Sequence, residues 1–449
     1  MKNDKNNCDC VYCKNNHEFN IGKELLEELV NGKVVIFAGA GVSTEPKTVV
    51  KNNFYELIAA EIEENGCKLP FPELMEKYCS GQVDGRSKLL KEIKNYFDFI
   101  NSFPELVRSA TRFHRELSTF FPIKNIITTN WDTYFEQFCN ATPFVSDPDI
   151  CFWEAAERRV LKIHGSLSNY SSIVATTADY NKCKSNLNDG VIGSFLKQIL
   201  ATERLIFVGY SFSDPDFLDI YNVVKSNMGS LHKQPYIVTP YSQDCERFSR
   251  DGFIPIRTDG TFFISQVKQH AIGQGLMLSD IVFDLAREAL EKVIKEHSLL
   301  HSSMNVLEYP ELIYAAYYQD GLIHSLERAI TMKGSGQYSH SCNIKRWISI
   351  YEELNKERLS EGKFHDVAYI EGYINGLISF LQANDRKKLS ELPMYFIFGV
   401  DSIIQDLNDF KKKLKFNTKP NEKAKKYASS MINSLNNPKK TEFHHPPWL

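Results

Sequence analysis

No apolar run in this 449-residue chain reaches the about 20 residues that a membrane-spanning helix needs. The first ten residues, Met1 to Cys10, are polar and contain no apolar core segment, so a secretory leader is not expected. Neither sign of charge dominates: 53 Lys and Arg stand against 56 Asp and Glu, a net charge of −3. A global basic field for nucleic acid is therefore excluded. The ten cysteines are scattered and form no dense framework. Without an export signal they are expected as reduced thiols in a cytoplasmic protein. No internal repeat is visible. The remaining composition, 43% hydrophobic and 24% charged, is that of an ordinary globular protein. Its length exceeds one ordinary core, so two or three domains are expected.

Four short motifs stand out, each after an apolar run that reads as a buried strand. They are Phe37-Ala38-Gly39-Ala40-Gly41-Val42-Ser43, Thr128-Thr129-Asn130-Trp131-Asp132, Lys162-Ile163-His164-Gly165 and Val208-Gly209-Tyr210-Ser211-Phe212-Ser213-Asp214. Strands are expected at 33–38, 124–129, 160–163, 204–209, 236–239 and 253–257. Helical patterns lie between them, at about 21–31, 52–64, 73–120, 132–139, 190–202 and 215–227. This alternation predicts an α/β, Rossmann-like parallel sheet with helices on both faces. Polar and Gly-rich residues at the carboxyl ends of such strands are where open α/β sheets take ligands.

The pattern changes near residue 276. Ile281, Leu285, Ala289, Val293 and Ile294 form a helical stripe, and helical segments follow near 305–332, 342–359, 365–383 and 400–415. Residues 395–400 are the one strand-like run. The expected organisation is a Cys-rich N-terminal extension over 1–20, an α/β domain over 21–275, and a mostly α-helical domain over 276–449. That last domain ends in a basic tail, with ten lysines from Lys411 onward against Glu422 and Glu442. A solvated helix face is the favoured reading of the tail; contact with a polyanion such as nucleic acid is the alternative. In the extension, Cys8, Cys10, Cys13 and His17 are candidate zinc ligands. Cys-x-Cys is an unusual spacing for a structural site, and thiols packed near a subunit contact are the favoured reading. His324, His340 and His365 are dispersed and read as structural.

Each motif has a functional and a plain structural reading. Gly39-Ala40-Gly41 lets backbone approach a pyrophosphate, with the next helix facing the anion. It also reads as a turn after a core strand. Thr44 stands where the dinucleotide fingerprint has its third glycine, and no Lys-Ser/Thr pair follows as in a P-loop. Asn130 and Asp132 can hydrogen-bond ribose hydroxyls, an amide or a water, or can cap the next helix. His164 is the one histidine at a strand end followed by glycine, placed to act as a general base or to be a satisfied structural histidine. Gly209-x-Ser211 reads as a second phosphate or ribose turn. Ser213-Asp214-Pro215 reads equally as an N-cap with proline at the first helical position.

Taken together and in this order, the four segments resemble the sirtuin family over roughly residues 21–265. Gly39, Ala40, Gly41 and Ser43 match its Gly-Ala-Gly-Ser loop. Asn130 and Asp132 match its Thr-Gln-Asn-Ile-Asp segment, with Thr129 where Gln is usual. His164 and Gly165 match its His-Gly pair, and Gly209 and Ser211 its Gly-x-Ser segment. Two departures bear on function. Protein-deacylating sirtuins carry a four-cysteine zinc ribbon after the His-Gly strand, whereas Cys183 is the single cysteine between His164 and Gly209. Their Gly-Ile-Pro-Asp-Phe-Arg segment is replaced by residues 46–53 followed by Phe54-Tyr55-Glu56-Leu57. Both departures are similar to a bacterial sirtuin-like branch associated with NAD⁺ cleavage in antiphage defence.

The resemblance implies an NAD⁺ hydrolase that releases nicotinamide and ADP-ribose, with NAD⁺ as substrate and no required metal. Asn130 would position water, His164 would accept a proton, and Asp132 would fix the nicotinamide amide or the ribose. Gly39, Ala40, Gly41 and Ser43 would cradle pyrophosphate. Ser211 and Asp214 would face the adenosine half, with Phe54, Thr129 and Gly209 completing the cofactor contacts. The helical domain would serve assembly or sensing, through a homo-oligomer or a partner protein encoded nearby. An NAD-dependent deacylase or ADP-ribosyltransferase is one alternative, and a non-catalytic NAD or ADP-ribose sensor is another.

Overall fold

The computed structural model describes residues 10–44, 46–62, 69–212, 214–382, 392–415, 418–435 and 443–447. Within the first unit, Met1–Gly273, seven strands form one sheet. They are β1 (Val34–Ala38), β2 (Asn125–Thr128), β3 (Thr142–Phe144), β4 (Arg159–Lys162), β5 (Arg204–Val208), β6 (Tyr236–Thr239) and β7 (Ile254–Arg257). All neighbours are parallel, in the order β3-β4-β2-β1-β5-β6-β7. The expected Rossmann-like sheet is what the structure contains.

Side chains alternate across the strands, so each apolar run serves two cores. Val35, Phe37, Ile127, Leu161, Leu205 and Phe207 share one core with residues of the helices Thr177–Asp189, Val191–Thr202 and Pro215–Met228. Val34, Ile36, Ile126, Val160 and Ile206 are equally buried on the other face. There the helix Gly260–Gly273 comes close to the sheet: a Cβ on Gly260 would lie 2.5 Å from Val208 Cγ1. Burial on both faces explains why these strands read as continuous apolar runs.

Several elements depart from expectation. β3 is three residues long and contains Pro143, which removes the usual strand signal. The helix Thr177–Asp189 is largely polar and buries only Tyr180, Cys183 and Leu187. The glycine loop does not run into a helix. Ala40–Val42 forms a 3-10 turn, and the next helix, Phe54–Glu61, opens with an Asn53–Glu56 capping box. Among the described residues, no α-helix terminus therefore directly follows Gly41. The N-terminal segment is docked on this unit. Tyr12 lies under the Arg112 guanidinium at 3.6 Å and hydrogen-bonds Ser109 at 2.8 Å. Phe19 stacks on Phe263 with ring centroids 5.5 Å apart.

The second unit, Gln274–Leu449, is helical. Its long helices are Ile281–Ser303, Leu312–Thr331, Ser341–Ser360, Phe364–Gln382 and Lys419–Asn433, with a short one at Leu407–Lys413. Leu312–Thr331 and Phe364–Gln382 touch backbone to backbone. A Cβ on Gly321 would fall 2.1 Å from Tyr369 O, and one on Gly372 would fall 1.9 Å from Tyr318 O. Glycine is required at both positions for that approach. The 395–400 run forms no strand; Tyr395, Ile397 and Phe398 enter the helical core from irregular backbone. In the 281–294 stripe, Leu285, Ala289 and Val293 are buried, but Ile281 and Ile294 are 54% and 45% exposed. Val282, Phe283 and Ala286 take the core positions instead. The segment expected to be helical over 400–415 is helical only from Leu407 to Lys413. Within the lysine-rich tail, the helix Lys419–Asn433 buries Ala424, Ala428 and Ile432 and leaves Lys423, Lys425 and Lys426 exposed. No helix among the described residues is long and apolar enough to cross a membrane.

Candidate functional site

Strand order reverses at β1, whose neighbours are β2 on one side and β5 on the other. That switch point opens a crevice at the strand carboxyl ends. The loop after β1 and the loop after β5 meet there. Gly39 N donates to Val208 O at 3.0 Å, and Gly41 N donates to Gly209 O at 2.9 Å. The contact depends on missing side chains: a Cβ on Gly39 would lie 2.4 Å from Gly209 O. Gly209 itself has φ +60°, and its Cβ would fall 2.6 Å from Val42 N. The glycines thus join two loops into one ridge, a role that the spacing alone did not reveal.

A cavity lies on each side of this ridge, and Gly209, Tyr210 and Ser211 line both. The first, about 600 Å³, is lined by Ala40, Phe54, Thr129, Asn130, Asp132, His164, Ser211 and Asp214. Sequence-predicted residues from all four motifs therefore share it. Phe71, Tyr96 and Trp131 add an aromatic wall. Phe54 meets Trp131 edge-on at 6.1 Å, and Phe71 meets it at 5.9 Å. The second cavity, about 590 Å³, includes Gly41, Thr239, Tyr241, Asp244, Arg247 and Asp259, together with Tyr12 and Asn15 of the N-terminal segment. Asp214, expected on the adenosine side, lines the first cavity with Asn130 and His164. Gly39 and Ser43 are buried behind the walls.

The loop after β2 is held from beneath. Thr128 Oγ1 donates to Ala38 O at 2.8 Å and accepts from Asn130 N at 3.0 Å. Asn130 Nδ2 donates to Gly39 O and to Ser43 Oγ, each at 3.1 Å. Asn130 Oδ1 is buried and accepts nothing from the protein. Such an acceptor costs about 1–3 kcal/mol unless something donates to it. Asp132 is committed on both oxygens: Oδ2 accepts from Ser43 Oγ at 3.0 Å and Oδ1 from Tyr134 N at 3.1 Å. Lys162, wholly buried, pairs with Glu136 at 3.1 Å and donates to Asp132 O. Ser43, Asp132 and Lys162 thus anchor the loop that carries Asn130.

His164 follows β4, and Gly165, at φ +84°, turns the chain away. His164 Nε2 lies 3.0 Å from Asp216 Oδ2. The Tyr180 ring packs on the imidazole with centroids 4.9 Å apart. Burial pushes the His164 pKa down, but the Asp216 hydrogen bond and the charges of Asp214 and Asp216 outweigh it. The net direction is above the ordinary value of 6.5. Asp216 moves the opposite way. Burial raises it, and His164, the Cys183 thiol and the Phe217 amide together hold it below the ordinary carboxylate value. Tyr180 OH also donates to Asp214 Oδ1 at 3.0 Å. Sequence reasoning missed Asp216 and Tyr180. Asp216 follows Pro215 in the first turn of a helix, where an acid reads as dipole compensation. The Thr176–Asp179 capping box was a signal for the helix that carries Tyr180.

Of the N-terminal candidates, Cys8 lies outside the described residues. Cys10 Sγ accepts from Cys13 N at 3.4 Å, capping the short helix Val11–Lys14, and His17 N donates to Thr258 Oγ1 at 3.1 Å. Cys10, Cys13 and His17 do not converge as a ligand set among the described residues.

A family profile described as SIR2-like domain matches residues 124–254. The NAD(+) hydrolase ThsA of Bacillus cereus (strain MSX-D12) is 26% identical over 215 residues, 45% of this chain and 42% of that protein. The NAD(+) hydrolase ThsA of Enterococcus faecium is 26% identical over 250 residues, 51% of this chain and 49% of that protein. Defense-associated sirtuin 2 of Bacillus subtilis is 25% identical over 228 residues, 48% of this chain and 22% of that protein. The chain spans less than half the length of these curated relatives.

Proposed function

We propose, from the SIR2-like domain that this chain carries, that the protein hydrolyses NAD⁺ to nicotinamide and ADP-ribose and acts as an effector of antiphage defence. The observation that carries this reading is the buried, unsatisfied Asn130 Oδ1 in one cavity with His164. A water or ribose hydroxyl donating to Asn130 would satisfy that oxygen and be fixed in position at once.

In this reading the aromatic wall of Phe54, Phe71 and Trp131 receives the nicotinamide ring. Bond cleavage sends the C1′–N electron pair to the ring nitrogen, which loses its positive charge, so no general acid is needed. Water held by Asn130 adds to the oxocarbenium-like carbon. His164, with Nε2 held by Asp216, takes the released proton at Nδ1. Asp132 positions Asn130 through Ser43 rather than touching the substrate. Ser211 borders both cavities and suits the pyrophosphate crossing between them. The second cavity then takes the adenosine half. The helical unit serves assembly or sensing.

The test is NAD⁺ consumption by the purified chain, with nicotinamide and ADP-ribose quantified and no acyl-lysine or acceptor protein present. His164→Ala is expected to lower the rate by about 10²- to 10⁴-fold, and Asn130→Ala is expected to lower it as well. Turnover that persists in both variants, or that requires an acyl-lysine, would overturn the reading.

A further inference from the structure

We propose that His297, His301 and His444, in the helical unit, form a binding site for a divalent transition-metal ion of the zinc class. The site is separate from the proposed catalytic cavity and does not depend on it.

Three observations converge. His297 and His301 are four residues apart on the helix Ile281–Ser303, so both rings leave the same face. Paired histidines at this spacing are a recurrent metal-binding arrangement. His444 comes from the far end of the chain and completes the set. One ligand atom from each of the three lies within 4.8 Å of the others. The ring centroids are 4.6 Å apart for His297 and His301, 5.2 Å for His297 and His444, and 5.7 Å for His301 and His444. In a tetrahedral site with metal–nitrogen bonds of about 2.0–2.1 Å, donor nitrogens sit about 3.4 Å apart. Small ring rotations close that difference.

The surroundings are also those of a metal site. Histidine ligands usually have their second ring nitrogen held by a carboxylate or carbonyl oxygen, which fixes the ring and raises its basicity. His444 Nδ1 lies 3.2 Å from Asp320 Oδ1, and His297 Nδ1 lies 3.1 Å from Gln319 Oε1. In both rings Nε2 is then the donor to offer a metal. Gln319 and Asp320 are buried neighbours on the helix Leu312–Thr331. Both are tied down further. Gln319 Nε2 donates to Met394 O at 3.0 Å, and Asp320 Oδ2 accepts from His445 N at 2.7 Å. His445 stacks on Tyr369 with centroids 4.3 Å apart, which fixes the segment that presents His444. Three imidazoles without thiolate favour zinc, nickel, cobalt or copper over calcium or magnesium. With three protein ligands, the fourth position falls to water. Metal at this place would clamp the terminal segment to the helix Ile281–Ser303.

The full chain, stripped with chelator and desalted, is titrated with Zn²⁺ by calorimetry and with Co²⁺ by visible spectroscopy. One equivalent of each is expected, with a tetrahedral Co²⁺ band and a Zn²⁺-dependent rise in Tm. His301→Ala and His444→Gln should each weaken binding by at least about tenfold and abolish the Co²⁺ band. His444→Gln leaves the helix Ile281–Ser303 intact, so loss of binding in that variant is not a folding defect. A Cys10→Ser/Cys13→Ser double variant should keep the site. No uptake by the parent chain would overturn the assignment. So would full uptake by the His301→Ala/His444→Gln double variant, or loss confined to the cysteine variant.

Discussion

Asp216 Oδ2 sits 3.0 Å from His164 Nε2, and both groups are buried. A general base works in its neutral form, and the His164 pKa is shifted above 6.5. The kcat/KM for NAD⁺ should therefore rise with pH through a midpoint above that value. Asp216→Asn removes the main influence that raises the pKa while leaving the burial that lowers it. Its midpoint should move down and its plateau rate should fall, because the ring loses orientation. A pH–rate profile that Asp216→Asn leaves in place would remove His164 from the base role.

Ser43 joins Asp132 to Asn130 without lining either cavity. Ser43→Ala strands a buried carboxylate oxygen and should destabilise the chain by about 1–3 kcal/mol. Asn130 loses one of its two fixed acceptors, so kcat should drop by about 10- to 100-fold. NAD⁺ affinity should stay near the parent value. Urea unfolding together with separate kcat and Kd measurements checks this. A loss confined to Kd would make Ser43 a direct ligand contact.

Gly209→Ala places a methyl group 2.6 Å from Val42 N at a residue with φ +60°. The two loops must separate, at a cost of about 1–3 kcal/mol. Since Gly209 lines both cavities, binding should suffer on both sides. The expected result is a lower Tm with loss of binding for nicotinamide mononucleotide and for AMP alike. Loss for one alone would mean that the ridge is not shared.

His114 is wholly buried, and burial lowers its pKa to about 4. It stays neutral in the folded chain, whereas the unfolded chain protonates it near 6.5. Stability on this account is undiminished above pH 6.5 and is lost as pH falls from there towards 4. The accumulated loss is about 3 kcal/mol. His114→Leu should flatten that part of the stability–pH curve while changing little at pH 7. Chemical denaturation between pH 4 and 8 provides the comparison.

The central strands were legible because β1, β2, β4 and β5 are buried on both faces and read as apolar runs. β3 was not, since its three residues include Pro143 and its pairing comes only from β4. The helix Thr177–Asp189 escaped notice because three buried positions in thirteen residues make a weak stripe. Residues 395–400 misled in the other direction: their apolar content is that of a core, and only a partner strand could have made them a strand. Within the candidate site, Asn130, Asp132 and His164 were visible because polar side chains at strand ends are conspicuous. Asp216 was not, because its meaning comes from His164, 52 positions away in sequence. His444 likewise gains a context only when folding brings it beside His297 and Asp320.

Under the proposed function, the ridge of Gly39, Gly41 and Gly209 would make a dinucleotide a bivalent ligand. Each half would occupy its own chamber, with the pyrophosphate as a tether across the divide. The second half then binds at an effective concentration of about millimolar or above, set by tether length rather than by bulk solution. Two weak chambers would then be enough to hold NAD⁺ firmly. On that reading, cutting the nicotinamide bond frees only nicotinamide, which leaves with the low affinity of a single-chamber ligand, whereas ADP-ribose keeps the pyrophosphate tether and leaves later.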